Sequence, residues 1–106
     1  MKNKCLNAFL ACFFLSGNAM AAGGYAIAQK HMCTACHSLD KKSMGPSWMS
    51  ISVRYQPVPD AENYLIDKIR NGGSGVWGTA QMPPSKEVEE ADIKVLAHYI
   101  MGLTKE

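Results

Sequence analysis

Charged residues, aromatic residues and long apolar runs, which are typical of several large classes of proteins, are scarce or absent in this sequence. Only 19% of its 106 residues are charged and 8% are aromatic. Its 11 Lys and Arg nearly balance its 9 Asp and Glu, so the basic stripe of a nucleic-acid-binding protein is missing. No apolar run reaches the roughly 20 residues that a membrane-spanning helix needs, and neither a repeat nor a low-complexity segment is present. These absences leave one small domain and argue against a nucleic-acid partner.

The N-terminal 21 residues have the layout of a secretory signal peptide. Two early lysines precede an apolar stretch at 5–15, and Ala19-Met20-Ala21 supplies the small residues of a cleavage site. We therefore expect residues 1–21 to be removed and residues 22–106 to form the mature domain, which predicts a periplasmic protein without stable membrane insertion. The alternatives are a retained N-terminal anchor and a lipoprotein modified at Cys12.

The mature domain has few covalent means of stabilisation. Domains of about 85 residues bury a modest fraction of their surface and often need a metal or disulfides. Of the four cysteines, only Cys33 and Cys36 would remain after cleavage. A bond between them would close almost no loop and constrain the chain little. Some other stabilising group is therefore expected.

The segment Cys33-Thr34-Ala35-Cys36-His37 matches C-x-x-C-H, which is typical of c-type haem attachment. Cysteines three residues apart lie on one side of a helical turn, where both sulfurs can bond to one edge of a porphyrin. The adjacent His37 can then coordinate the iron.

Three alternatives to haem attachment remain for this motif. A structural zinc site needs four ligands, and the mature chain has no second cysteine pair. A thioredoxin-like redox pair lies in a βαβ unit, which this sequence does not indicate. The third alternative is a chance match.

A second axial ligand is indicated in the irregular glycine-rich loop at 72–84. Met82 lies there, and Pro83 and Pro84 restrict the backbone directly after it. The alternatives are an open site or ligation by His98, which we expect, like His31, to be solvated. Of the other methionines, Met32 directly precedes the motif and Met44 lies in the turn after it. Met49 and Met101 lie on predicted helices, where methionine commonly fills the core.

Ligation by histidine and methionine predicts an electron carrier and not an enzyme. The thioether raises the reduction potential of the iron, and the two ligands fill both axial positions. A peroxidase or an oxygen-binding protein would need one of these positions free.

Helical periodicity predicts four helices. Asp60 is a suitable N-cap for the third helix, and Gly72 suits the position after its end. Acidic residues favour the start of the fourth helix through the helix dipole. The predicted ranges are 25–36, 47–55, 61–71, and from 88 or 89 to 101.

Over nearly all of residues 23–103, the chain resembles the short bacterial class I cytochromes c. The haem motif marks only the superfamily, and the narrower similarity lies in Gly45-Pro46, Leu65, Ile69, Asn71-Gly72, Gly75-Val76-Trp77-Gly78 and Met82-Pro83-Pro84. The resemblance implies an all-α class I cytochrome c fold, with about four helices around one covalently bound haem. It also implies a single-electron carrier of the type that donates to nitrite reductase or terminal oxidases.

The resemblance also assigns roles to individual residues. Cys33 and Cys36 would bind haem covalently, and His37 and Met82 would ligate the iron. The Pro46 carbonyl would accept the other imidazole N–H, a bond that orients such a ligand. The Trp77 indole would donate a hydrogen bond to a haem propionate, and the alternative is that Trp77 only packs in the core. The first and last helices would cross near Gly24 or Ala28 on the first helix and Tyr99 on the last.

One position departs from the family pattern. Relatives often carry Asn where this chain has Ser85, which leaves the orientation of the methionine ligand open.

We expect a monomeric carrier that meets its redox partners briefly at an exposed haem edge. Such contacts bury less than about 1,200 Å² in total. The edge would be framed by an apolar rim of Met44, Met49, Pro83 and Pro84. The alternatives are a permanent haem c subunit of a larger periplasmic oxidoreductase and a catalytic haem protein.

Overall fold

The computed structural model describes residues 19–105 of the chain, and within them it contains four α-helices. They are α1 (Ala19–Lys30), α2 (Trp48–Tyr55), α3 (Ala61–Asn71) and α4 (Glu90–Gly102). Between residues 19 and 105 the only β pairing is a single bridge of Gly73 with Met82. The predicted all-α fold is confirmed. The predicted signal peptide lies outside the described residues, except for its last three positions at the start of α1.

No helix in the described part of the chain is both long and apolar enough to cross a membrane.

The prediction of one continuous first helix over 25–36 is wrong. Helix α1 ends at Lys30, Met32 adopts a left-handed φ of 61°, and a separate 3₁₀-helical turn covers Cys33–Ala35. Periodicity gives no warning of this break, because methionine is itself a good helix former. In a 3₁₀ turn, residues three apart lie directly above one another. The break therefore aligns Cys33 with Cys36, whose amide donates to the Cys33 carbonyl over 3.2 Å.

Helix α1 begins at Ala19, six residues before its predicted start, whereas the ends of α2, α3 and α4 lie within two residues of their predicted positions. At the start of α3, however, the expected capping bond is absent. Ser47 precedes α2, and its hydroxyl accepts a hydrogen bond from the Ser50 amide over 3.0 Å. Asp60 precedes α3 as predicted but makes no capping bond. Its φ is 61°, and its carboxylate instead accepts from the side chain of Asn63 over 2.7 Å.

Helix α4 contacts each of the other three helices and forms the centre of the fold. Its predicted apolar stripe is buried: Ile93, Leu96, Ala97 and Ile100, together with Met101. Helix α1 crosses α4 at Gly24, where an added Cβ would collide with the Tyr99 side chain. The nearby Ala28 is fully buried. The crossing is therefore where the resemblance placed it.

A side-chain hydrogen bond joins the residue after α1 to the start of α4. The His31 Nε2 atom lies 2.9 Å from the Asp92 carboxylate, and only 16% of the His31 side chain is exposed. The expectation that His31 is solvated is wrong, because a partner 61 positions away cannot be read from local sequence. His98 is exposed as expected, with Nδ1 2.7 Å from Glu62.

Candidate functional site

A cavity of about 450 Å³ lies among the helices and is lined mainly by apolar side chains. Its size falls within the range of about 300–1,000 Å³ that is common for cofactor sites. Lys42 and Lys68 are the only charged residues in its lining. The apolar walls come from three helices: Trp48, Ile51 and Tyr55 on α2, Leu65 and Ile69 on α3, and Leu96 and Ile100 on α4.

The two cysteines lie half-buried at one edge of this cavity and do not form a disulfide with each other. Burial raises the pKa of the Cys33 thiol, a backbone hydrogen bond opposes this, and the neighbouring Cys36 adds to it. Among residues 19–105, no three His, Cys, Asp or Glu side chains form a group that could hold a metal ion. The zinc alternative therefore finds no ligand set there, whereas two free thiols beside an apolar cavity suit a porphyrin edge.

The imidazole of His37 is held at the cavity wall from three directions. Its Nδ1–H donates to the Pro46 carbonyl over 2.7 Å, which leaves the lone pair on Nε2. The Trp48 ring lies nearly parallel to it, at 19°, with ring centroids 6.1 Å apart. Gly45 faces the ring edge so closely that an added Cβ would lie 2.7 Å from His37 Cε1. The ring therefore has one oriented position.

We expect Gly45→Ala to displace this ring and to lower the stability of the ferric holoprotein by about 1–3 kcal/mol, the usual cost of overpacking. Thermal unfolding measures the effect. Gly102→Ala is the matched control, since a Cβ there meets nothing within 4 Å. Equal stability of the two variants would mean that the contact with His37 does not constrain the ring.

Met82 is fixed at the cavity by backbone contacts with the end of α3. Its N–H and C=O both bond to Gly73, over 2.8 and 3.0 Å. Gly72 has φ of 70°, and an added Cβ there would collide with the Met82 carbonyl. Beyond the two prolines, the Ser85 amide donates to the Ile69 carbonyl over 3.1 Å. The backbone that carries the thioether is therefore held on both sides of the residue.

Met82 and Met44 are the methionines of the described chain that line the cavity. Met44 belongs to the segment that follows His37, and its side chain is 70% exposed, with its sulfur 4.0 Å from Cys36 Sγ. Met101 is buried in the core, as expected of a core-filling methionine. The remaining alternatives, Met32, Met49 and His98, do not contribute to the cavity lining.

Trp77 lines the cavity mouth with 39% of its surface exposed. The Arg54 guanidinium of α2 lies over its ring, 4.6 Å from the centroid. The expected apolar rim is present in part, because Met44 and Pro83 line the cavity whereas Met49 and Pro84 do not.

A pair of tyrosines in the cavity wall was not predicted from the sequence. The hydroxyls of Tyr55 and Tyr64 lie 3.4 Å apart, and their rings are 5.0 Å apart. Burial, followed by the hydrogen bond to Tyr64, raises the pKa of Tyr55. Tyr55 is the last residue of α2, and Tyr64 lies in the first turn of α3. The chain between them breaks helical periodicity, so no local pattern relates the two residues.

The six residues singled out in the sequence thus meet around one cavity: Cys33, Cys36, His37, Pro46, Trp77 and Met82. A cysteine pair with an adjacent oriented imidazole, in an apolar cavity of an all-α domain, defines a small haem-binding protein.

Comparison with known proteins narrows this class. The model of the family "Cytochrome c" matches residues 21–104. Cytochrome c-552 of Nitrosomonas europaea is 40% identical, over 97% of this chain and 99% of its own. Cytochrome c-552 of Hydrogenobacter thermophilus is 42% identical, over 73% of this chain and 78% of its own. The crystal structure of the wild-type Nitrosomonas protein superposes with a TM-score of 0.73 at 42% identity, covering 76% of this chain and 99% of that one.

The chain belongs to the cytochrome c family. Members of this family are haem-binding electron carriers, and the cofactor here is one haem c bound covalently through Cys33 and Cys36. The resemblance seen in the sequence, to a small class I cytochrome c, is confirmed.

Proposed function

We propose that this protein is a periplasmic single-electron carrier whose haem iron is ligated by His37 and Met82. One observation carries the proposal. A single cavity joins the C-x-x-C-H turn to a methionine whose backbone is hydrogen-bonded on both sides. Haem supplies an iron that cycles between the ferric and ferrous states. With both axial positions filled by protein, no site for a substrate remains, so we propose a carrier and not an enzyme.

The surrounding residues would orient the ligands and the cofactor. The Pro46 carbonyl, 2.7 Å from His37 Nδ1, would fix the imidazole and increase its basicity as a ligand. The Trp77 indole N–H, at the cavity mouth, would donate to a haem propionate. The apolar cavity walls would keep water away from the iron.

Partners would meet the protein at the cavity mouth, where large apolar side chains are exposed. Met44, Val76 and Trp77 are 70%, 43% and 39% exposed. An exposed patch of this kind suits a small, short-lived contact with another redox protein. Gel filtration of native extract should recover the protein as a monomer, whereas co-elution with a large oxidoreductase would mean a permanent subunit.

Addition of carbon monoxide to the ferrous protein at neutral pH tests the proposed function. We expect no change in the spectrum, because His37 and Met82 occupy both axial positions. A redox titration should also show one single-electron transition. Ready binding of carbon monoxide would instead favour a catalytic haem.

We also propose that the mature protein starts near Ala22, after the Ala19-Met20-Ala21 site. The intact mass of the purified protein should equal that of residues 22–106 plus one haem. A mass that includes residues 1–21 would contradict both the cleavage and the proposed free periplasmic state.

A further inference from the structure

Helix α2 forms one wall of the cavity and reaches both of its sides. Near its start, the Trp48 ring lies against the His37 imidazole. Near its end, Arg54 reaches the segment 73–82, which carries Met82. Eight helical residues span about 12 Å, so one rigid element connects the two sides on which we place the axial ligands.

Arg54 contacts the 73–82 segment through a hydrogen bond and a ring contact. Its Nη1 donates to the Val76 carbonyl over 3.2 Å. Its guanidinium carbon lies 4.6 Å from the Trp77 centroid and 5.8 Å from that of Tyr55. A planar guanidinium can stack on an aromatic ring while donating at its edge, which a lysine ammonium cannot do equally well.

Apart from a side-chain hydrogen bond of Trp77 with Tyr55, the tip of this segment makes few other hydrogen bonds to the described residues. Residues 73–81 are all exposed. The backbone hydrogen bonds between Gly73 and Met82 join the two ends of the segment. Between these ends, the Gly75 amide donates to the Gly78 carbonyl over 2.9 Å. Within residues 23–105, Arg54 is the only residue outside the segment whose side chain donates a hydrogen bond to the backbone of the segment. Exposed segments with few buried contacts open readily.

We propose that Arg54 is a positioning residue that holds the 73–82 segment closed over the cavity and so keeps Met82 at the iron. The proposal rests on the proposed ligation by Met82. Arg54 acts through Val76 and Trp77 and is not itself a ligand. Its removal should leave the helices folded and raise the rate at which Met82 leaves the iron.

Displacement of Met82 by imidazole in the ferric holoprotein tests this proposal. At saturating imidazole, opening of the segment limits the rate at which the long-wavelength iron–thioether band disappears. We expect Arg54→Leu to raise this rate about tenfold, the combined effect of one hydrogen bond and one exposed cation–π contact. Arg54→Lys should raise it about threefold, because it keeps the charge and loses the planar donor. Lys94→Leu, an equal charge change on the exposed face of α4, should leave the rate unchanged.

Amide hydrogen exchange separates a local effect from a global one. In Arg54→Leu, the hydrogen-bonded amides of Gly75 and Met82 should exchange about tenfold faster, while those in the middle of α4 keep their wild-type rates. Wild-type imidazole kinetics in Arg54→Leu would overturn the proposal, as would equal acceleration across α4. If the wild type lacks the iron–thioether band, ligation by Met82 is wrong, and exchange at Gly75 and Met82 still decides whether Arg54 holds the segment.

Discussion

Replacing both Cys33 and Cys36 with alanine is expected to abolish stable holoprotein. The cavity of about 450 Å³ lies between α2, α3 and α4, so the apolar side chains that line it have no packing partner on that side without a cofactor. A domain of about 85 residues has no large reserve of stability. The loss should therefore include the cooperative fold as well as the haem.

Denaturing gel electrophoresis followed by haem absorbance measures how much haem stays covalently attached. Circular dichroism of the purified protein measures whether the helices and a cooperative melt remain. The single variants Cys33→Ala and Cys36→Ala should each keep at most one thioether bond and an intermediate haem content. Thr34→Ala, at an exposed position between the two cysteines, is the matched control and should keep full haem content. A double variant with native-like helicity and a cooperative melt would show that the helices pack without haem.

Replacing Met82 with alanine should change the chemistry of the iron while leaving the haem attached. The oxidised variant should lose the weak long-wavelength band of the iron–sulfur bond and bind cyanide, and the reduced variant should bind carbon monoxide. The potential should fall, because the thioether stabilises the ferrous state. Met82→His should also lower it while keeping six-coordination, because imidazole donates more strongly to ferric iron.

Three methionine-to-leucine variants serve as controls for Met82→Ala. Such near-isosteric changes cost less than about 1.5 kcal/mol. Met44→Leu probes the exposed mouth of the cavity, Met49→Leu the outer face of α2, and Met101→Leu the core. If Met82→Ala keeps the band and one of these controls loses it, the methionine replaced in that control is the second axial ligand.

Helix α1 shows where sequence reasoning fails. Periodicity predicts a single helix through the haem motif, whereas the chain turns at Met32 and enters a 3₁₀ turn. Helical propensity describes how well a residue fits inside a helix, and it does not predict which residue leaves the helix in a left-handed conformation. The same limit applies to His31, whose partner Asp92 lies on another helix.

Features that depend on local spacing and residue chemistry could be predicted without a structure. The C-x-x-C-H motif identified the cofactor, and helical periodicity gave α2, α3 and α4 to within two residues. The irregular backbone around Met82 distinguished it from the methionines on helices. These features are readable because a covalent motif, a helical face and a glycine-rich segment each depend on residues close together in the chain.

The contacts between distant segments could be identified only in the folded protein. It placed Arg54 over Trp77, paired Tyr55 with Tyr64 in the cavity wall, and bonded both backbone groups of Met82 to Gly73. It also replaced the expected cap at Asp60 with a side-chain contact. Each of these depends on the relative placement of packed elements. That placement follows from how whole helices bury their apolar faces against one another, which no local pattern specifies.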